Sequence, residues 1–201
     1  LGQLDCLEVH PPAAIFKGPT KDADGNIKAN NTIFNWLQLL NQGYRYPGVV
    51  NTDAHDNIHG SGWLRTYISS MTDDPPKVDI HEMVHAAEHG HMVMTNAPYL
   101  EVSLEAAKGD GKKSKGGSVS RGGQSSRGGP GDDVAAPDGK GTLKVRVQCA
   151  NWYDIDRVQV FVNGKPDPKL NFTRAANPDL FGNGVVKFDR DLPLELASDA
   201  H

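Results

Sequence analysis

The sequence predicts an α/β segment followed by an all-β segment, and three observations carry that expectation. An apolar stripe of helical period lies between two short strand-like runs in the first quarter of the chain. A Gly/Ser-rich, locally basic stretch, KGDGKKSKGGSVSRGGQSSRGGPGDD, interrupts the chain near its middle. Beyond it the apolar residues alternate with period two and are punctuated by turn residues. The expected organisation is therefore residues 1–98 as the α/β part and residues 99–201 as a sandwich-like part, with a flexible insertion at 108–130.

The elements follow in order. Leu4 to Val9 reads as a short buried strand, and residues 10–30 as a polar loop. The DADGN run inside that loop lacks the ligand spacing and closing Glu of a calcium loop. In NNTIFNWLQLLNQG, Asn31 or Thr32 caps a helix, Gly43 ends it, and Ile33, Trp36, Leu37 and Leu40 share one face. Val49 to Thr52 is the next strand, so strand, helix and strand predict a parallel βαβ unit. LRTYIS is a strand, DDPPKVDIHEMVHAAEHG a helix, and HMVMTNAPYLEVSL returns to strand. In the second half, Leu143, Val145, Val147 and Cys149 alternate, as do Val158, Val160 and Val162, and Asn163-Gly164 marks a hairpin.

Composition excludes several classes. The formal charge of the 201 residues is −4, so there is no global pull toward nucleic acid or an anionic membrane. No apolar run approaches the ~20 residues of a membrane span, and no signal-peptide pattern is visible. Two Arg-Gly-Gly units, at Arg121 and Arg127, lack the interleaved aromatics of an RNA-binding segment. Cys6 and Cys149 fit no zinc or disulfide framework and read as small core residues. The sequons at Asn30 and Asn171 carry little weight without a secretion signal. The compartment and oligomeric state are left open.

HEMVHAAEHGH, His81 to His91, has the letters of a zinc peptidase. A peptidase of this type would use His81, Glu82, His85 and His91, with the Glu polarising a metal-bound water. An ordinary helix explains the same letters. Asp79 is a good N-cap, Glu82 falls at the capping-box position, and Gly90 is a C′ stop. Ile80, Met83, Val84 and Ala87 then form the expected buried stripe. The third-ligand glycine of the peptidase motif is also missing, since Glu88 stands there.

VVNTDAHDNIHGSGWLRTY carries the stronger chemistry. In extended chain, residues two apart project the same way, so Asp53 and His55 are expected side by side just past a strand end. A carboxylate and an imidazole aimed at one point suit a divalent metal. His59 lies in the glycine-bearing loop that follows, and Arg65 has the chemistry to clamp an anionic or carbonyl substrate.

Taken in order, LDCLEVH, NWLQLLNQGYRYPGVVNTDAH, GSGWLRTYI, VDIHEMVHAAEHGHMVMTNAP and IDRVQVFVNG resemble the PHP (polymerase and histidinol phosphatase) metallohydrolases, in their CehA/McbA-like branch. The resemblance implies the C-terminal part of a PHP-like βα barrel, followed by an antiparallel β-sandwich-like domain. It implies Asp53 and His55 as ligands of divalent metal ions (zinc, manganese or iron). Glu8, and with less support His59, would stand in a second shell, and Arg65 would act on a small-molecule substrate. The implied reaction is hydrolysis of a phosphoester, ester or carbamate by a metal-activated water. The helix bearing His81 and His85 would pack outside the barrel, and Asp199-Ala200-His201 would be a coincidence of letters. The amino-terminal His-x-His of the family is absent, so the chain is expected to be an incomplete fragment. A non-enzymatic module, with the sandwich binding a glycan or partner, is the other alternative.

Overall fold

In a computed structural model the described residues are 4–9, 20–28, 32–56, 58, 60, 62–107 and 126–201. They form two compact units. The first runs to Pro98 and takes in Gln159–Asn171 and His201; the second is Tyr99–Val158 with Phe172–Ala200.

In the first unit, β1 (Leu7–Glu8) pairs in parallel with β4 (Gly48–Val49), and α1 (Thr32–Asn41) lies between them in sequence. The helix forms because its apolar residues fall on one face. Ile33 is buried with Val9 and Val50, and Trp36, Leu37 and Met94 pack around that core. Gly43 ends the helix at φ +86°, where a side chain would be strained. The Trp36 indole lies across Gly48 and donates to Tyr46 O at 2.7 Å. A Cβ at Gly48 would stand 2.9 Å from that ring, so β4 needs glycine there. The polar loop holds a small antiparallel hairpin, β2 (Thr20–Lys21) and β3 (Ile27–Lys28). In its turn the Asp22 carboxylate accepts from the Asp24 and Asn26 amides.

The expected βα barrel is not formed; the fold is β-rich, with small separate sheets. The strand predicted to run to Thr52 stops at Val49. The next backbone N–H and C=O, those of Val50, are engaged by the Thr66 hydroxyl at 2.9 Å each. A barrel would pair those groups with the next strand's backbone. Thr66 lies in β5 (Arg65–Ile68), which pairs antiparallel with β6 (Met92–Thr95). Between them a 3-10 turn at Pro75–Lys77 and α2 (Ile80–Glu88) carry the chain out and back. The Ser69 N–H then bonds His91 O, so β6 starts where β5 ends. That return makes the pair antiparallel, whereas a barrel crossover would leave it parallel.

The second unit is a four-stranded antiparallel sheet of order β12-β9-β7-β8, from Val186–Glu195, Lys140–Gln148, Tyr99–Ala106 and Arg127–Gly128. One face carries Val145, Val147, Phe188 and Leu192, with Phe181 edge-on to Phe188 at 5.3 Å. Along β9 the intervening residues carry charge: Lys144 pairs with Glu105, and Arg146 lies near Glu101 and Asp189. β8 corrects the expected insertion at 108–130, because Arg127-Gly128 is sheet edge. Gly128 is required there, since a Cβ would stand 2.6 Å from Asp132 Cβ. Arg121 and the rest of 108–125 lie outside the described residues.

β10 (Arg157–Val162) and β11 (Lys165–Thr173) form a separate two-stranded sheet and do not join the four-stranded one. Most of this hairpin, Gln159–Asn171, belongs to the first unit, so it does not supply a second sheet to the sandwich-like domain expected at 99–201. Their turn is Asn163-Gly164, with φ of +51° and +71°, the signs a type I′ hairpin requires. A Cβ at Gly164 would stand 3.2 Å from Leu37 Cβ, so the hairpin tip packs on α1 within the first unit. The Asn163 amide and side chain also hold the backbone of His201. Asn171, the expected sequon residue, has its Oδ1 buried. Cys149 is buried; Cys6 is only half-buried, its Sγ 4.0 Å from Ala87 O.

Candidate functional site: the Asn51–Arg65 loop

Asp53 and His55 stand together just beyond the C-terminal end of β4. His55 Nε2 is 3.2 Å from Asp53 Oδ1, and the side chains are 78% and 73% exposed. Strand alternation is not the cause, because Asp53 has φ +50°, in the left-handed region. Asn51 makes the turn: its Oδ1 accepts from the Asp53 N–H at 2.7 Å. This is an Asx turn, and Asp is among the few residues that tolerate the left-handed backbone it leads into.

The other face of the Asn51 amide donates to Glu8 Oε1 at 2.7 Å. Glu8 thus reaches the pair through Asn51, from the end of the neighbouring parallel strand. Thr52 closes the loop behind them. Its hydroxyl donates to Leu64 O at 3.0 Å and accepts from the Gly62 N–H at 2.7 Å. Arg65 is anchored in the same loop: Nη1 donates to Gly62 O at 2.7 Å and Nε to the Tyr67 hydroxyl at 3.0 Å. His59 lies outside the described residues. Asn51 and Thr52 do the positioning, and sequence reasoning assigned neither a role. The signal was present as Asn two residues before Asp, the spacing of an Asx turn.

The separation of the pair is that of a direct ion pair, and it also matches two ligand positions of one metal ion. Two ligand atoms about 2.1 Å from a shared ion stand about 3.0 Å apart at a right angle and about 3.4 Å apart at the tetrahedral angle. The Asp53–His55 contact of 3.2 Å falls between those limits. Among the described residues no three of His, Cys, Asp or Glu are grouped to hold a metal, so a closed cage is not assembled from them. Asp53 and His55 fit two positions of a coordination shell.

The peptidase-like letters occupy α2. Asp79 caps it, accepting from the His81 N–H at 2.8 Å. Glu82 does not complete a capping box; its Oε1 accepts from the Met71 N–H at 2.6 Å. The buried stripe is also turned from expectation. Ala86 is buried, whereas Ile80 is 73% and Val84 50% exposed. Gly90 is the C′ stop, with φ +75°. His85 and His89 are exposed and stack with centroids 4.1 Å apart, and His91 lies 6.0 Å from His89.

Comparison of the chain with protein-family models, with curated proteins and with solved structures gave no match. The family resemblance rests on the ordered motifs alone. No helix among the described residues is long and apolar enough to cross a membrane.

Proposed function

We propose that the Asn51–Arg65 loop is part of the reacting edge of a metal-dependent hydrolase acting on phosphoester, ester or carbamate bonds. The observation that carries this reading is the 3.2 Å approach of Asp53 Oδ1 to His55 Nε2 at the C-terminal edge of the parallel β1–β4 pair. Asp53 and His55 hold the ion. When bound, a divalent metal supplies Lewis acidity and a water acidic enough to act as nucleophile near neutral pH. Asn51 fixes the Asp53 backbone, so the carboxylate is presented without reorganisation. Glu8 orients the Asn51 amide, and a carboxylate in that place also adds negative charge that favours a cation. Arg65, held by Gly62 and Tyr67, faces the task of orienting an anionic substrate oxygen.

The test is a titration of the full chain with zinc and with manganese, alongside hydrolysis of p-nitrophenyl phosphate and p-nitrophenyl acetate. Metal-dependent turnover in the parent, lost in both D53A and H55A, is the expected result. Turnover that survives both substitutions would remove the assignment.

The same contact favours a second reading. If the Nε2–H donates to the Asp53 carboxylate, Nδ1 carries the lone pair and His55 becomes a general base oriented by Asp53. Hydrolysis that persists in EDTA yet requires His55 would select it.

A further inference from the structure

We propose that the turn Ala150–Tyr153, in the second unit, is a carbohydrate-binding platform, with Trp152 stacked on the flat C–H face of a neutral pyranoside chain. It does not rest on the hydrolase reading of the Asn51–Arg65 loop. Trp152 is 90% exposed, and Tyr153 and Val185 are exposed as well. The Tyr153 N–H bonds Ala150 O at 2.9 Å, which closes a four-residue turn with Trp152 at its corner. Below it the buried Cys149 donates its thiol to Tyr153 O at 3.5 Å. The Cys149 N–H bonds Val185 O at 3.0 Å, so the loop carrying Val185 adjoins the turn.

The turn is held rigidly. Arg174 Nη2 donates to Asp154 Oδ1 at 2.6 Å and to Gly182 O at 3.0 Å. Its Nη1 donates to Asn183 Oδ1 at 3.2 Å and its Nε to Ile155 O at 3.3 Å. One guanidinium, lying over the Phe181 ring, therefore ties the segment after Trp152 to the neighbouring loop. The Ile155 amide, and then Arg174 and the buried Lys187, hold the Asp154 carboxyl below the usual carboxylate range. A platform fixed before its ligand arrives loses little entropy on binding.

The surround selects the ligand. Sugar C–H groups carry slight positive charge and suit the negative face of an aromatic ring. β-1,4-linked pyranoses hold their C–H bonds axial and so present a flat face about the size of an indole. A stable protein interface instead takes about 800 Å² from each partner, several times the roughly 250 Å² of a Trp side chain. Sugar hydroxyls also need polar partners. Asp154 receives Ile155 and Arg174 on Oδ1, so Oδ2 is available to accept a hydroxyl. Asn183 meets Arg174 with Oδ1, which leaves its side-chain N–H groups to donate. Asp154 and Asp156, both exposed, add negative charge that disfavours acidic sugars and anionic lipid headgroups.

The experiment titrates the full chain with cellohexaose, xylohexaose and chitohexaose by calorimetry, and separately with vesicles of phosphatidylcholine and phosphatidylglycerol. Binding of at least one oligosaccharide is expected. W152A weakens it by about tenfold or more, and W152F, which keeps a ring, weakens it less. M71A removes an equally exposed apolar side chain in the first unit and leaves binding within about twofold. Trp152 stands in solvent, so W152A keeps the fold, which thermal unfolding checks. No binding to any of the three sugars, binding unchanged in W152A, an equal loss in M71A, or binding to the vesicles alone overturns the proposal.

Discussion

The Asn51–Arg65 loop and the helix Ile80–Glu88 both bring chemically capable side chains together, by different means. On the helix the regular period does it: His85 and His89 are neighbours because four residues make about one turn. In the loop no regular period operates. Asp53 meets His55 because Asn51 bends the backbone into the left-handed region and Thr52 ties the loop to Gly62 and Leu64. A helical pair therefore survives most single substitutions around it, whereas the loop pair depends on two polar residues that are not themselves part of it.

The largest break in that contrast is expected at Thr52. Thr52→Val keeps the shape and removes both hydrogen bonds, leaving Leu64 O and Gly62 N–H without their partner. A loss of about 1–3 kcal/mol in urea-unfolding stability is expected. The metal affinity proposed for the Asp53/His55 loop should fall with it, while the helical circular dichroism of α2 does not. A Thr52→Val chain with unchanged loop affinity would mean that the loop geometry has another cause.

Asp79→Ala is the matching change on the helix. It removes the cap that receives the His81 amide, and a cost of about 1 kcal/mol is expected by the same unfolding measurement. Because the cap stands at the opposite end of α2 from His85 and His89, the helical circular dichroism should be nearly unchanged at low temperature, where fraying is suppressed. A large loss of helical signal would show that the helix is too marginal to stand without its cap.

Glu82→Gln separates backbone anchoring from catalysis. The amide oxygen still accepts from Met71 N–H, so stability should change by less than about 1 kcal/mol, whereas a peptidase would lose its general base. Casein or peptide cleavage by the parent chain that disappears in this variant would favour the peptidase reading.

The smallest stability effect is expected at Asp53 itself. Asp53→Gly relieves the positive φ at the entropic cost glycine brings, and the two nearly cancel within about 1 kcal/mol. Asp53→Ala has no such relief and should be the less stable of the two. Both lose the carboxylate, so both should lose the metal binding proposed for the loop. An Asp53→Gly chain markedly less stable than Asp53→Ala would contradict the left-handed backbone at this position.

Much of the local structure was legible in the residues. The stripe Ile33–Trp36–Leu37, the stops at Gly43 and Gly90, the Asp79 cap and the Asn163-Gly164 turn each follow from short-range sterics and hydrogen bonding. The juxtaposition of Asp53 and His55 was also legible, but through the wrong cause, because an Asx turn can imitate strand alternation over three residues. The exposed side of α2 was misread: Ile80 and Val84 share the apolar period, yet Ala86 is the residue that packs inward. Periodicity says which residues share a face, not which of two mixed faces a neighbour will cover.

By itself the sequence determined the two helices, the parallel strand–helix–strand start and the alternation of the second half, since these need only near neighbours. Only the tertiary structure decided how those pieces join. Thr66 takes the backbone groups of Val50, the chain returns at His91 beside Ser69, and β10–β11 stays out of the four-stranded sheet. Each of those events pairs residues far apart in the chain, where several partners compete for the same N–H and C=O. The winner depends on which packing satisfies all of them at once, and no short stretch of sequence records that competition.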